Sequence, residues 1–342
     1  MATVSIAICA SHSPFLYATP EEWTAARIAR ERPGAFAAGL AADSDAETAA
    51  KHARCMAAFE VLRRKLEAAR PDVLVIFGDD QLEQFDFGNF PAFCIFIGEE
   101  FSGYKISPFV GLPTGKPREK RPRDAEHWVT APGHPPLAKR LMTGLMTRGF
   151  DMAFSAGKAE GVGHAFMRPL LSLTPGFDIP TVPIYINCYY GPQPTGARCH
   201  QLGRAIREVI DGWPSDLKVG VIGSGGLWHT PLGDEALIDG GFDAAILGAA
   251  RSGDAKAMAA AFDACTPSFD PDDPRQLDQA SGGTGMVLGY GSGTGEVRNW
   301  IAAAAVVDGT PGTVVDYVEI NASPIGAAFA YWDQPSKGAV RV

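Results

Sequence analysis

The sequence predicts an α/β protein of one domain, with a central mixed β-sheet flanked by helices. Three observations carry this. Short apolar runs of strand length, such as Val73 to Phe77 and Thr181 to Asn187, alternate with longer segments whose apolar residues recur at helical spacing, such as Asp45 to Ala69 and Arg198 to Asp211. The chain has 342 residues, 46% hydrophobic and 20% charged, which is ample for a sizeable core. No internal repeat and no obvious linker divides it, so residues 1–342 read as a single unit.

The elements follow in order. Val4 to Cys9 is a first strand, broken by Ser11-His12-Ser13-Pro14. Residues 17–70 read as a helical insertion: an Ala-rich irregular part to Asp43, then an amphipathic helix with Ala49, Ala53, Met56, Phe59, Leu62 and Leu66 on one face. Val73 to Phe77 is a fully apolar strand ended by Gly78-Asp79-Asp80-Gln81, and Phe93 to Ile97 is another. Residues 102–126 have no period and four prolines, which suggests a surface loop that covers a site. A helix from Pro136 to Arg148 follows Gly133-His134-Pro135. Met152 to Ser155 is a short strand, and Gly161-Val162-Gly163-His164 opens an apolar segment. The strand Thr181 to Asn187 turns at Tyr189-Tyr190-Gly191-Pro192. Lys218 to Ile222 is a buried strand, and Gly223-Ser224-Gly225-Gly226 turns the chain just before Trp228 and His229. Ala244 to Ala264 is helical with a break that Asp254 caps, and Gly282 to Gly295 is glycine-dense with no strand before it, which disfavours a dinucleotide loop. Thr294 and Glu296 read as caps of a helix through Ala305. Val314 to Ile320 is the last strand, and Gly326 to Trp332 either completes the core or joins an interface.

Composition narrows the functional classes. A net charge of −9 and the lack of a Lys/Arg block with interleaved aromatics argue against a nucleic-acid surface. No apolar run has the length of a membrane span, and the N-terminus reads as a strand rather than a signal peptide. The six cysteines form no CxxC pair and read as reduced thiols of a cytoplasmic protein. Gly223-Ser224-Gly225 lacks the frame of a hydrolase nucleophile. His12, His134, His164 and His229 each adjoin a glycine or a strand end, where α/β folds gather functional groups. His229, aimed by its glycine turn and beside Trp228, is placed for proton transfer.

Seven blocks, in order, resemble the class III extradiol ring-cleavage dioxygenases, the family of the protocatechuate 4,5-dioxygenase β subunit. They are SHSP, VLVIFGDDQLEQF, APGHPPLA, GVGHAFMRPL, YGPQPTGARCHQLGRAIRE, SGGLWH with LIDGGFD, and YVEINASPIGAAFAYW. The resemblance implies a non-haem Fe(II) site, a catechol-type or related phenolic substrate, and O2. It makes His12 a metal ligand, His164 and His229 the acid/base pair, and His134 another pocket histidine; with Tyr190 and Trp228, read from their own positions, His134 is taken as substrate-binding. Its second metal histidine falls on Gln81 and its carboxylate on Gly241, so the metal site is atypical. Asp79, Asp80, Asp239 and His52 are the candidate replacements, and Arg168, Arg198 and Tyr190 the candidate partners of a substrate carboxylate. Three readings stay open. One is a ring-cleavage dioxygenase with a rebuilt iron site. The second is a metal-free hydrolase or lyase using His164 and His229. The third is a non-catalytic subunit of a dioxygenase complex. A homodimer, or a complex with a related subunit, is expected by analogy with the family.

Overall fold

The computed structural model describes residues 1–31, 35–36, 40–112, 117–157, 161–229, 237–265 and 293–334. The glycine-dense stretch to residue 292 lies outside the described residues, except for its end at Gly293 to Gly295. An eight-stranded sheet runs through the described part in the order β6-β3-β7-β2-β8-β1-β10-β9. Its strands are β1 (Thr3–Ala10), β2 (Val73–Gly78), β3 (Phe93–Phe96), β6 (Ala153–Ser155), β7 (Thr181–Ile186), β8 (Lys218–Ser224), β9 (Thr313–Ile320) and β10 (Ile325–Asp333). Strands β7, β2, β8 and β1 are mutually parallel, while β3 against β7, β10 against β1 and β9 against β10 are antiparallel. The predicted mixed sheet is therefore present, with a parallel centre.

The centre is parallel because both of its faces are covered. Alternate residues of one strand feed two separate cores: Val73, Val75 and Phe77 point to one face, and Leu74 and Ile76 to the other. On the first face lie α3 (Pro135–Met146), α5 (Gly196–Asp211), α6 (Gly240–Ser252), α7 (Ala255–Cys265) and α8 (Val297–Val306). On the second lie α1 (Pro20–Arg30), α2 (Asp45–Ala69) and α4 (His164–Leu173). Reciprocal capping boxes begin both insertion helices: Thr19 with Glu22 for α1 and Ser44 with Glu47 for α2. Each cap contributes about 1 kcal/mol by satisfying amides the helix leaves bare.

Two expectations change. Residues 102–126 begin inside a strand: β4 (Glu100–Tyr104) pairs with β5 (Trp128–Pro132) in a separate antiparallel hairpin, and the described parts of the connection between them hold no named strand or helix. Gly103 and Pro132 hid the pattern, because neither residue favours a strand. The run Gly326 to Trp332 lies within β10, between β1 and β9, and so completes the core. All six cysteines are free thiols, five of them buried. Among the described residues no helix is long and apolar enough to cross a membrane.

Candidate functional site

The parallel strands β7, β2, β8 and β1 all end at one edge of the sheet, and their continuations meet there. This is the edge where open α/β sheets place ligands. β1 runs into Ser11-His12-Ser13, β2 into Asp79-Asp80-Gln81, β7 into Asn187-Cys188-Tyr189, and β8 into the turn that carries His229. A cavity of about 440 Å³ opens beside them, lined by His12, Gln81, His164, Tyr189, His229 and Glu296, among others.

His12 is buried, and its neighbours fix its tautomer. Ser224 Oγ donates to the Ala165 carbonyl, so it accepts from His12 Nδ1 at 2.7 Å. The lone pair of the neutral ring is then on Nε2. That nitrogen faces Glu296 Oε2 at 3.4 Å and Asp79 Oδ1 at 4.0 Å. A lone pair beside two buried carboxylates needs a positive charge among them, either a proton or a metal cation. Asp79 is fully buried; Asn299 Nδ2 reaches its Oδ1 at 3.4 Å, and its Oδ2 has no hydrogen-bond partner. Burial, and then the neighbouring Glu296, push the Asp79 carboxyl well up.

Glu296 sits at the start of α8 and accepts from Gly226 N at 2.8 Å and from the Tyr189 hydroxyl. Burial alone would raise its carboxyl, but the imidazoles of His12 and His229 hold it well below the usual range. His229 Nδ1 donates to the Leu227 carbonyl at 3.1 Å and turns Nε2 to Glu296 Oε1, 3.6 Å away. Burial lowers the His229 imidazole, but Glu296, with the Leu227 carbonyl and Asp243 behind it, outweighs this, so the net shift is upward. The turn needs Gly225, whose φ is +143°, and the segment facing it needs Gly293, where a Cβ would stand 1.2 Å from His229 Nε2.

His164 begins α4, and its Nδ1 lies 2.7 Å from Glu83 Oε1, which also accepts the His164 amide at 3.0 Å. Burial would raise Glu83, but His164 brings it down to about 2. The carboxylate accepts the hydrogen bond of Nδ1–H, which leaves Nε2 of His164 as the basic atom. The His12 and His164 rings meet edge to face at 4.9 Å between centroids. Candidate ligand atoms of His12, Asp79 and His164 all lie within 4.8 Å of one another.

The structure thus brings His12, His164, His229 and Gln81 to one cavity, with Arg168 in its wall and Asp79 beside His12, and leaves His134, Tyr190, Trp228 and Gly241 outside its lining. Gln81 does not face the acids as a ligand; its amide donates to the Tyr189 hydroxyl at 2.7 Å, and Tyr189 in turn holds Glu296. Gly241 is an exposed residue in the first turn of α6, with ordinary helical geometry, and lies outside the cavity lining. The carboxylate that does face His12 and His229 is Glu296, which follows a glycine-dense stretch and reads in the sequence as a helix cap. His134 caps α3, its Nδ1 accepting the Leu137 amide at 3.0 Å, and is not part of the lining. Tyr190 packs between Phe87, Phe90 and Tyr189, and Trp228 against Phe242, so both are wall-supporting side chains outside the lining. Of the proposed replacements, only Asp79 reaches the site. Asp80 accepts the amides of Glu83, Gln84 and Phe85, Asp239 caps α6, and the His52 ring lies against Trp23. Arg168 does line the cavity but is committed to the carbonyls of His12 and Ile106, while Arg198 stacks on Phe150 elsewhere. Glu83 and Tyr189 were not singled out in the sequence. The acid-rich end of β2 was the available signal for Glu83, and nothing local marks Tyr189.

A buried imidazole–carboxylate group at the carboxyl edge of a mixed α/β sheet, opening on a cavity with two further histidines, defines a class: a site built for acid/base chemistry or a cation. The particular family follows from comparison. Residues 6–329 match the family described as "Catalytic LigB subunit of aromatic ring-opening dioxygenase". The chain belongs to that class III extradiol family. It is 31% identical over 189 residues to a 2,3-dihydroxyphenylpropionate/2,3-dihydroxicinnamic acid 1,2-dioxygenase of Photorhabdus laumondii, covering 55% of this chain and 52% of that protein. It is 34% identical over 105 residues to a gallate dioxygenase of Pseudomonas putida, covering 30% of each. The chain thus spans about half or less of the length of these curated relatives.

Proposed function

We propose that this protein is an aromatic ring-cleavage dioxygenase that acts on a catechol-type substrate with ferrous iron and O2. One observation carries the reading: the Nε2 lone pair of His12 faces two buried carboxylates, one of which has an oxygen without a partner. That donor set fits a divalent cation, with His12, Asp79 and Glu296 as the residues that would hold it. Ferrous iron bound there would supply the electron transfer that lets O2 react with a ring diol. The chain's own residues do the rest. His164, its Nδ1 proton held by Glu83, takes a phenolic proton at Nε2. His229, beside Glu296, holds a proton at Nε2 for the oxygen atoms as they are reduced. Arg168 ties the His12 carbonyl to the connection after β4 and so keeps the ligand strand end in place.

The test is anaerobic loading of the purified chain with ferrous iron, followed by a catechol panel with oxygen uptake and product absorbance recorded together. Equal consumption of O2 and diol, abolished by His12→Ala, is expected. A product formed from a diol without O2 uptake would replace this reading with metal-free acid/base chemistry on the His164–Glu83 pair. No iron retention and no turnover with any diol would favour a supporting subunit.

A further inference from the structure

We propose that Arg168 is a catalytic cation of this site, whose free Nη2 holds the ionised oxygen of a ring diol. This rests on the ring-cleavage reading and adds to it the protein group that steadies the diol anion. Arg168 stands four residues after His164 on α4, so the two side chains share one helix face, and both line the cavity. The guanidinium sits beside the end of β1. Its Nη1 donates to the His12 carbonyl at 3.0 Å, and the His12 and His164 rings are 4.9 Å apart between centroids.

Three contacts fix the guanidinium and leave one corner over. Nε donates to the Ile106 carbonyl at 2.8 Å, Nη1 donates to the His12 carbonyl, and the Tyr17 ring centre lies 5.9 Å from the guanidinium carbon. Tyr17 is itself anchored, its hydroxyl donating to the Arg168 carbonyl at 2.8 Å. Among the described residues Nη2 has no hydrogen-bond partner, and the side chain forms no ion pair. Both of its acceptors are neutral carbonyls, yet Arg168 is only 6% exposed. A guanidinium stays charged even when buried, and a buried charge without a counter-ion is unfavourable. A bound anion at Nη2 would complete the arrangement.

The acids of the cavity do not serve as that anion. Glu83 accepts from the amide and the ring of His164, and Glu296 accepts from Gly226 and Tyr189. The group that shares the helix face indicates what does. When His164 takes a phenolic proton at Nε2, the electron pair of the O–H bond stays on the ring oxygen. No other bond changes, and the new negative charge lies on an oxygen in the cavity that Arg168 lines. A donor already fixed in place needs no reorganisation as that charge develops.

The test is anaerobic titration of the chain with 4-nitrocatechol, in sets with and without ferrous iron. This diol carries no carboxylate, and its visible spectrum separates the neutral from the ionised form. In the native chain the bound probe should show the ionised spectrum at a pH where the free probe is mostly neutral. Arg168→Gln should bind the ionised probe ~10–100-fold more weakly in both sets, the scale of a charge-assisted hydrogen bond. Arg168→Lys keeps the charge and gives up the fork, so it should retain part of the difference. A merely structural role would move both variants together, since each loses the double tie to Ile106 and His12. Circular dichroism of each variant controls for folding. A native chain that binds the probe in its neutral form overturns the assignment without any variant. So does a folded Arg168→Gln that binds the ionised probe as the native chain does, or an Arg168→Lys as weak as Arg168→Gln. The two levels fail separately. Diol cleavage by Arg168→Gln at native kcat removes the residue and leaves the reaction. Binding of the ionised probe that depends on Arg168, with no O2 uptake by the iron-loaded chain on any diol, removes the reaction and leaves the anion contact.

Discussion

Replacing Glu296 with Gln tests the centre most directly. The substitution keeps the shape and one oxygen acceptor for the Gly226 amide, 2.8 Å away, but removes the negative charge. In the native arrangement that charge lies 3.4 Å from His12 Nε2 and 3.6 Å from His229 Nε2, and Glu296 is almost wholly out of solvent. At an effective dielectric of about 20, a unit charge pair at this separation is worth ~5 kcal/mol gross. If half of that survives as net attraction for a cation, ferrous iron binds ~2.5 kcal/mol more weakly, roughly 70-fold in Kd. Gln81→Ala is the internal contrast. Gln81 is bound to Tyr189 rather than to the acids, so its loss should weaken iron by under about tenfold, at the low end for groups acting behind a ligand. The assay is an anaerobic titration of metal-free protein with ferrous iron, followed by calorimetry, with circular dichroism of each variant alongside. A larger loss in Gln81→Ala than in Glu296→Gln would refute the placement of the carboxylate at position 296 and restore residue 81 as a ligand.

Other expectations follow from the same geometry. His164→Ala and His229→Ala should each lower kcat by about 10²–10⁴ with folding intact, read in steady-state assays on any diol the protein cleaves. Gly293→Ala should act like His229→Ala, because the new methyl would occupy the space of Nε2; normal kcat in this variant would show that the ring sits elsewhere. Asp243, fully buried, accepts from Trp228 N and Tyr317 Oη, yet burial pushes its carboxyl up to about 7. A raised carboxyl holds a proton in the folded chain that the unfolded chain releases. Its contribution is therefore fully present below pH ~4 and is lost as pH rises to about 7, with an upper bound of about 4 kcal/mol. Urea unfolding at pH 5 and pH 8 should show a smaller pH-dependent loss in Asp243→Asn than in the native chain.

The architecture was legible because its signals are local. The helix over Asp45–Ala69 was readable to the residue, since apolar spacing marks its body and Pro71-Asp72 its end. The parallel centre was readable as buried apolar runs, each ended by Gly, Ser or Asp. The β4–β5 hairpin escaped because its pairing is joined by a long proline-rich connection, and cross-strand register over that distance leaves no periodic trace. For the same reason the arm's contribution to the cavity, through Ser107, Phe109 and Arg118, could be anticipated only as a loop over a site.

The site was legible where strand ends carry its residues and illegible where distant segments complete it. His12, His164 and His229 stand beside glycines or strand termini, and these local marks hold in three dimensions. Extending the resemblance by counting from aromatic landmarks put the carboxylate on Gly241, because a frame through Phe242 assumes that the acid lies near the histidine turn in sequence. The carboxylate that the fold sets beside His12 is instead Glu296, more than sixty residues past the histidine turn, where the start of α8 comes back over the end of β8 and Gly226 donates to it. An acid at a helix start has two physical uses, to cap its own helix or to offer its charge elsewhere. Sequence cannot separate them, but the structure does: no side-chain cap hydrogen bond forms at the start of α8, and both Glu296 oxygens are directed into the site. Asp79 shows the converse. Two adjacent acids after a buried strand signal either a hydrogen-bonded turn or a site, and here each acid takes one of the two roles. Asp80 gathers three backbone amides, while Asp79 stays beside His12 with an oxygen unsatisfied. Leaving that oxygen bare costs free energy that a hydrogen-bonded turn would not incur. The economical account is that the fold keeps it for a cation, which makes retention of iron by Asp79→Asn the measurement that separates a ligand from a misplaced acid.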